Sequence, residues 1–295
     1  MQNDRLRNLI HLHFIVFIWG FTAVIGKLIS VDALRLVWFR MLIAFLLIGG
    51  YILFSKLRFK LSKKSFLWMF FGGIVVALHW FTFFMAIKVS SVSIALATMS
   101  IGAFFTSLLE PIWYGRKIIK YEILLGLVVI LGLYLIFRVD SANWYGMVIA
   151  AISAFLAATF SIINGKLVKT DTPSIISFVE LGAGVLFLSI YFLIAGEFNL
   201  NFFKVSSRDW LYLFILASIC TAYAFIASVK VMRFLTPYTV MLTTNLEPVY
   251  GIFMAFIILG ENKELNSMFY VGALIILGTV VINAILKNRK KLKKN

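Results

Sequence analysis

Polar and charged residues divide this chain into ten apolar runs, each close to the roughly 20 residues that a helix needs to cross a hydrocarbon core. The runs cover about 9–29, 33–54, 66–87, 90–113, 121–138, 144–164, 175–195, 209–229, 234–259 and 266–286. Between them stand turn residues and charges: Ser30-Val31-Asp32, Lys56 to Lys64, Arg116-Lys117, Asp140 to Asn143, Asp171-Thr172-Pro173 and Glu261 to Glu264. Val89-Ser90-Ser91 and Val231 to Phe234 are weaker breaks and require very tight turns. The fifth run is short and crosses with little tilt. The pattern predicts an all-α membrane protein.

The second half of the chain echoes the first. Residues 88–138 fall without a gap on 234–284, an offset of 146 that puts Thr98 on Thr244, Lys117 on Lys263, Gly126 on Gly272 and Gly132 on Gly278. At an offset of 139, Phe21 to Leu28 fall on Phe160 to Leu167. The repeat predicts two five-helix units, 1–139 and 140–295. Five is odd, so the units insert with opposite topology, which makes ten transmembrane helices in two inverted repeats.

Composition and charge sharpen the class. Of 295 residues 62% are hydrophobic, with a mean hydropathy of +0.99, more apolar surface than a soluble domain can cover. The formal charge of +16 sits in short clusters between the runs, which reads as loops at a membrane surface and not as a nucleic-acid face. With the N-terminus inside, twenty Lys and Arg fall on the inner side and seven on the outer, and Arg40 lies within a run. The expected placement is a multi-pass plasma (inner) membrane protein with both termini cytoplasmic. Arg5 and Arg7 precede the first run without a small-x-small cleavage site, so that run is expected to be an uncleaved first helix.

Little catalytic chemistry is written in the chain. Cys220 is the single cysteine, so no intramolecular disulfide is expected, and it reads as a small buried filler. Gly26-Lys27 is not a P-loop, because Phe21 stands in the required glycine's place and Leu28 follows the lysine. His11, His13 and His79 make no metal set, and no Ser-His-Asp arrangement is evident. No catalytic residue, metal or cofactor is predicted.

Ionisable groups inside a membrane are costly and mark function by default. At about 1.5 Å per residue, His79 and Glu247 lie roughly 20 Å from their entry sides, near the midplane. Glu247 precedes Pro248, which removes a backbone donor and breaks the helix, as a cation or proton site requires. Glu247 and His79 are the proton-coupling candidates; a hydrogen-bonded structural carboxylate and a neutral core histidine are the alternatives. Arg40, near 10 Å deep, either snorkels outward or binds a carboxylate. Glu180 starts from the opposite face and is not expected to pair with it. Glu110-Pro111 suggests a local ion pair or gate contact with Arg116 and Lys117. Aromatics at similar depth are Trp19, Trp80, Phe81, Phe84, Tyr223 and Tyr250, with Thr98, Ser100, Thr244 and Asn245 as neutral hydrogen-bonding groups. Trp38, Trp113, Trp144 and Trp210 read as interface anchors. Gly146, Ala150, Ala154 and Ala158 form a small-residue stripe for close helix packing, inside the chain or at a dimer seam.

Trp19-Gly20, Lys27 and Arg40, then Pro248, Gly260-Glu261, Gly272 and Gly278, resemble the drug/metabolite transporter superfamily, in the group with two EamA-type domains. Pro248, Glu261 and Gly272 match that family's Pro-Glu-Gly spacing. In the first half Gly102 stands where Pro is usual and Gly115 where Glu is usual. The resemblance implies ten helices around a central cavity lined by spans 1, 3, 4, 6, 8 and 9. By span and depth it points to Trp19, His79, Trp80, Thr98, Tyr223, Asn245, Glu247 and Tyr250 as substrate-binding residues.

The expected function is a secondary transporter, an exporter of a small amphipathic metabolite such as an amino acid, working by alternating access at a midplane cavity. Expected partners are that small molecule and the lipid bilayer, with a proton as candidate co-substrate and no nucleic acid. Monomer and homodimer both stay open. The alternatives are an intramembrane lipid-modifying enzyme, which would need a nucleophile, metal or carboxylate cluster, and a passive channel, which would show non-saturating flux.

Overall fold

The computed structural model describes residues 2–57, 59, 61–139, 141–261 and 267–292. Arg58, Lys60, Asp140, Asn262, Lys263, Glu264, Lys293 and Lys294, used above to mark loops and orientation, lie outside the described residues. The helices are α1 (Gln2–Leu28), α2 (Ala33–Phe54), α3 (Lys63–Val89), α4 (Val92–Met99), α5 (Gly102–Tyr114), α6 (Lys120–Val139), α7 (Trp144–Leu167), α8 (Pro173–Ile194), α9 (Ser207–Ala217), α10 (Ala224–Val231), α11 (Pro237–Thr244), α12 (Glu247–Leu259) and α13 (Ser267–Leu292). A π-helical turn, Ser218–Tyr223, joins α9 to α10. The pairs α4–α5, α9–α10 and α11–α12 each form one span. Eight spans are long and apolar enough to cross a membrane. With α6 and α13 they make the ten helices of an all-α membrane fold.

Capping residues expose the repeat better than sequence identity does. Asp32 and Thr172 precede α2 and α8, and positive φ follows those helices at Lys56 and Gly196, in both cases 140 residues apart. Ser62 and Ser206, 144 apart, each accept a bond from the backbone N–H three residues on. Ser91 and Thr236 do the same 145 apart, and Gly115 and Gly260, both left-handed, end α5 and α12 at that same spacing. The ungapped offset of 146 is therefore one residue too long across spans 4 and 9. Loops absorb the differences, so each helix keeps its own register.

Both broken spans kink at equivalent places. Amides of Ser100 and Ile101 bond three residues back, to Ala97 and Thr98, and amides of Asn245 and Leu246 bond to Leu242 and Thr243. In the second half Pro248 enforces this, since it lacks an N–H and its ring crowds the carbonyl four residues earlier. The first half makes the same turn without a proline, with Ala103 at the position equivalent to Pro248.

Helix α3 packs along α7 and α8, α1 along α12, and α6 along α13. The stripe Gly146, Ala150, Ala154 and Ala158 is buried, and a Cβ on Gly146 would lie 2.6 Å from Ser90, so its face is consumed within one chain. Trp38 is a correction: it is 7% exposed and its Nε1 donates to Ser189 Oγ at 2.9 Å, so it is a core residue and not an anchor.

The ends of the bundle are tied by charge. Lys27 Nζ donates to the carbonyls of Ile87 and Ser90 at the end of α3, while Lys88 Nζ donates to the Ile29 carbonyl after α1. Cations at helix C-termini oppose the helix dipole. At the same end the Glu261 carboxylate accepts from the amides of Val92 and Ser93, both at 2.9 Å, and from Ser93 Oγ at 2.7 Å. At the opposite end Glu110 accepts from the Tyr238 amide at 2.8 Å. Ser93 and Tyr238 are equivalent in the repeat, so each half caps the other's broken span with a carboxylate. Arg116 bridges Glu110 and Glu122, both at 3.1 Å.

Candidate functional site

Midway along the bundle the two kinks flank a cavity of ≈ 80 Å³ open to a water-sized sphere, several times the roughly 10–15 Å³ that one water needs. Trp19 comes from α1, Arg40 from α2, His79, Trp80 and Phe83 from α3, and Ala157, Phe160 and Ser161 from α7. The π turn and α10 add Cys220 and Phe225, and the second kink adds Asn245, Glu247 and Pro248.

The charge at the centre is Arg40, whose side chain is 1% exposed. It does not snorkel. Its Nε donates to Thr221 Oγ1 at 2.6 Å, and the guanidinium lies 4.0 Å from the Trp80 ring centroid and 5.5 Å from that of Phe84. Stacking on an aromatic face suits a planar, weakly hydrated cation. The π turn matters here: Thr221 Oγ1 donates to the Leu216 carbonyl five residues back, which aims its lone pairs at Arg40. Among the described residues Nη1 of Arg40 has no partner.

Glu247 lies within Coulombic range of Arg40 but outside ion-pair contact among the described residues. Its surface is half-buried and faces the cavity. His79 Nδ1 lies 3.0 Å from the Ser153 carbonyl, an acceptor only, so Nδ1 carries the hydrogen and Nε2 is the ring's free acceptor. Ser153 Oγ spends its hydrogen on the His79 carbonyl at 2.9 Å.

Five of the eight expected binding residues, Trp19, His79, Trp80, Asn245 and Glu247, line this cavity, as does Pro248. Three stand elsewhere. Thr98 is buried with its hydroxyl on the Ile94 carbonyl at 2.9 Å. Tyr223 is 45% exposed and its hydroxyl meets His11 Nε2 at 2.9 Å. Tyr250 packs edge-on against Phe17. Sequence reasoning left Arg40, Phe83, Phe160, Ser161 and Phe225 off the binding list. Spacing carries a signal for some: Phe83 is one turn beyond His79, and Ala157, Phe160 and Ser161 share a helix face.

Arg40 Nη1, Asn245 Nδ2 and the hydroxyls of Ser100 and Ser161 are all buried, all without a partner among the described residues, and all on this cavity. Buried polar groups are normally satisfied, so this concentration marks where a polar ligand fits. A second, apolar cavity between α12 and α13 shares Ser100, Asn245 and Pro248 with the first.

Comparison with known proteins agrees with this architecture. The EamA-like transporter family matches residues 9–138 and again 144–284. The chain is 23% identical over 211 residues to "Uncharacterized transporter YxxF" of Bacillus subtilis (strain 168), a match spanning 70% of this chain and 66% of that protein's length. A crystal structure of another protein shares the fold, with a TM-score of 0.68 over 98% of this chain and 99% of its own at 14% identity. The two family matches together cover nearly all of the sequence: the chain belongs to the EamA-like transporter family, within the drug/metabolite transporter superfamily.

Proposed function

We propose that this membrane transporter carries a small metabolite bearing both a carboxylate and an amine, such as an amino acid with an apolar side chain. One observation carries the reading: Arg40 holds a partnerless Nη1 in the same aromatic cavity that Glu247 faces. The substrate carboxylate docks on Arg40, as guanidinium geometry favours. The ammonium turns to Glu247, and Asn245, Ser100 and Ser161 supply neutral hydrogen bonds. Trp19, Phe83, Phe160 and Phe225 bury the apolar part.

Transport proceeds by alternating access, with one half rocking on the other. The Glu110 and Glu261 caps join the halves at opposite ends, so releasing one while keeping the other opens the cavity to a single side. Both termini face the cytoplasm of a plasma membrane, from the excess of Lys and Arg on that side, and the direction is export, from the family likeness. Glu247 and His79, both on the cavity, are the groups through which a proton is exchanged for substrate.

The test is counterflow in proteoliposomes preloaded with unlabelled amino acids and screened with labelled ones. Saturable counterflow of neutral apolar amino acids is the expected result. No counterflow with any amino acid would sink the substrate assignment, and flux that does not saturate would replace the carrier by a channel.

A further inference from the structure

Away from the cavity, Glu180 Oε1, Asn164 Oδ1 and Ser177 Oγ are buried without a hydrogen-bond partner among the described residues. They form one group. Asn164 Nδ2 donates to Glu180 Oε2 at 3.1 Å, and Ser177 lies one turn from Glu180 on α8. Glu180 and Asn164 are both 0% exposed. Helix α3 meets this carboxylate with Gly72 and Gly73; a Cβ on Gly72 would lie 2.6 Å from Glu180 Oε1, and one on Gly73 2.1 Å from the Glu180 carbonyl. Two glycines thus bring α3 backbone against the carboxylate, and helical amides there are already spent.

Among the described residues no cation meets this group. Helix α2 faces α8 with Met41 and Phe45, while its Arg40 is engaged with Thr221 and Trp80. On α3, His79 is held by Ser153, Lys88 by Ile29, and Lys63 and Lys64 are exposed. On α7 and α10, Lys166 and Lys230 are exposed. A buried carboxylate with one amide donor and no counter-charge is among the costliest groups a membrane interior can hold.

We propose that Glu180 and Asn164 form a proton-binding site, separate from the substrate cavity and linked to it through Ser161. The carboxylate takes up one proton and becomes a neutral acid whose O–H is a donor. Asn164 serves both states: its amide N–H bonds the carboxylate, and after a flip its Oδ1 accepts from the acid. Ser161, one turn from Asn164 on α7, lines the cavity with a hydroxyl that has no partner among the described residues, so it stands between the two. The site is a second ionisable position beside Glu247 and needs no assumption about which metabolite is carried.

Infrared spectroscopy of the full chain in lipid nanodiscs tests this, with the proton as the probe. The wild type is expected to show the carbonyl stretch of a buried carboxylic acid, sensitive to deuterium exchange. Glu180→Gln should remove that band and Glu247→Gln should leave it. Asn164→Ala should shift its frequency without abolishing it, which keeps the test open if Glu180→Gln folds poorly. A band that persists in Glu180→Gln overturns the proposal. So does a carboxylate ionised throughout the pH range that becomes an acid only when sodium is removed, which would make the site one for a metal cation. These outcomes are read without substrate, so failure of the amino-acid assignment leaves them intact. In reconstituted vesicles, Glu180→Gln should keep exchange of a labelled substrate but lose at least 10-fold of its acceleration by a pH gradient.

Discussion

Replacing Arg40 by Met separates substrate recognition from folding. Met approximates the arginine's length without its charge. In the wild type the guanidinium donates to Thr221 Oγ1 and, at 3.5 Å, to the Cys220 carbonyl, and it stacks on Trp80. Thr221 keeps its bond to Leu216 when Arg40 is gone, so no new buried donor is stranded. Arg40 makes no ion-pair contact among the described residues, so removing it relieves the cost of burying its charge while giving up its attraction for Glu247, and the melting temperature of Arg40→Met should stay within a few degrees of the wild type. Binding should behave differently. A hydrogen bond to a charged group contributes about 1.5–3 kcal/mol, which at 1.4 kcal/mol per decade is roughly a 10- to 100-fold loss of apparent affinity. The assay is concentration-dependent counterflow beside a melting curve on the same preparation. Arg40→Lys should recover only part of the loss, because an ammonium neither stacks on Trp80 nor pairs bidentately. An affinity change under threefold in Arg40→Met, with stability retained, would refute docking of the carboxylate on this residue.

Two further perturbations test the frame around the cavity. Glu261→Gln keeps the size of the side chain but loses at least one charge-assisted bond to the α4 amides, about 1.5–3 kcal/mol. The end capped by Glu261 should then open about 10-fold more often, read as faster maleimide labelling of Cys220, the chain's single cysteine and a cavity residue. Glu110→Gln should accelerate labelling from the opposite side, and unchanged rates in both would remove the caps from the gating mechanism. Gly73→Ala puts a methyl 2.1 Å from the Glu180 carbonyl, whereas a Cβ on Gly50 meets nothing within 4 Å. Overpacking costs about 1–3 kcal/mol, so Gly73→Ala should melt several degrees lower than Gly50→Ala; equal melting temperatures would mean that α3 and α8 do not approach as closely as described.

Much of the frame was legible because membrane-length apolar runs are a coarse and redundant signal. Ten runs, turn residues at the breaks and Pro248 at a kink survive errors of a few residues. The site was legible only in depth. A rise of 1.5 Å per residue places Trp19, Tyr223 and Glu247 at a common height, but each residue also turns the side chain by about 100°, and no periodicity in an all-apolar helix says which way is inward. Hence Glu247 faces the cavity, whereas Tyr223 points outward to His11 at the same level. The π turn at Ser218–Tyr223 shifts the face of every residue after it, and nothing in its composition announces a five-residue hydrogen bond.

What the sequence also withheld is which polar groups are spent. Glu261, Lys27 and Lys88 read from sequence as loop-end charges and Glu110 as a local ion pair or gate contact, and in the fold all four also cap helix ends across the bundle. Their bonds are local to the ends and can be exchanged one end at a time. Arg40, Asn245, Ser100 and Ser161 at the centre, and Glu180 with Asn164 one turn away from it, retain unused hydrogen-bonding atoms. A fold that satisfies its ends while leaving its middle unsatisfied is least stable empty. Substrate in the cavity and a proton on Glu180 each relieve part of that cost, so each favours the closed arrangement in which both caps are formed. If the two share Ser161 as connection, the Glu180→Gln chain should close around substrate without a proton on this site, and exchange should then lose the share of its pH dependence that Glu180 carries, the remainder falling to Glu247 and His79, while keeping its saturation.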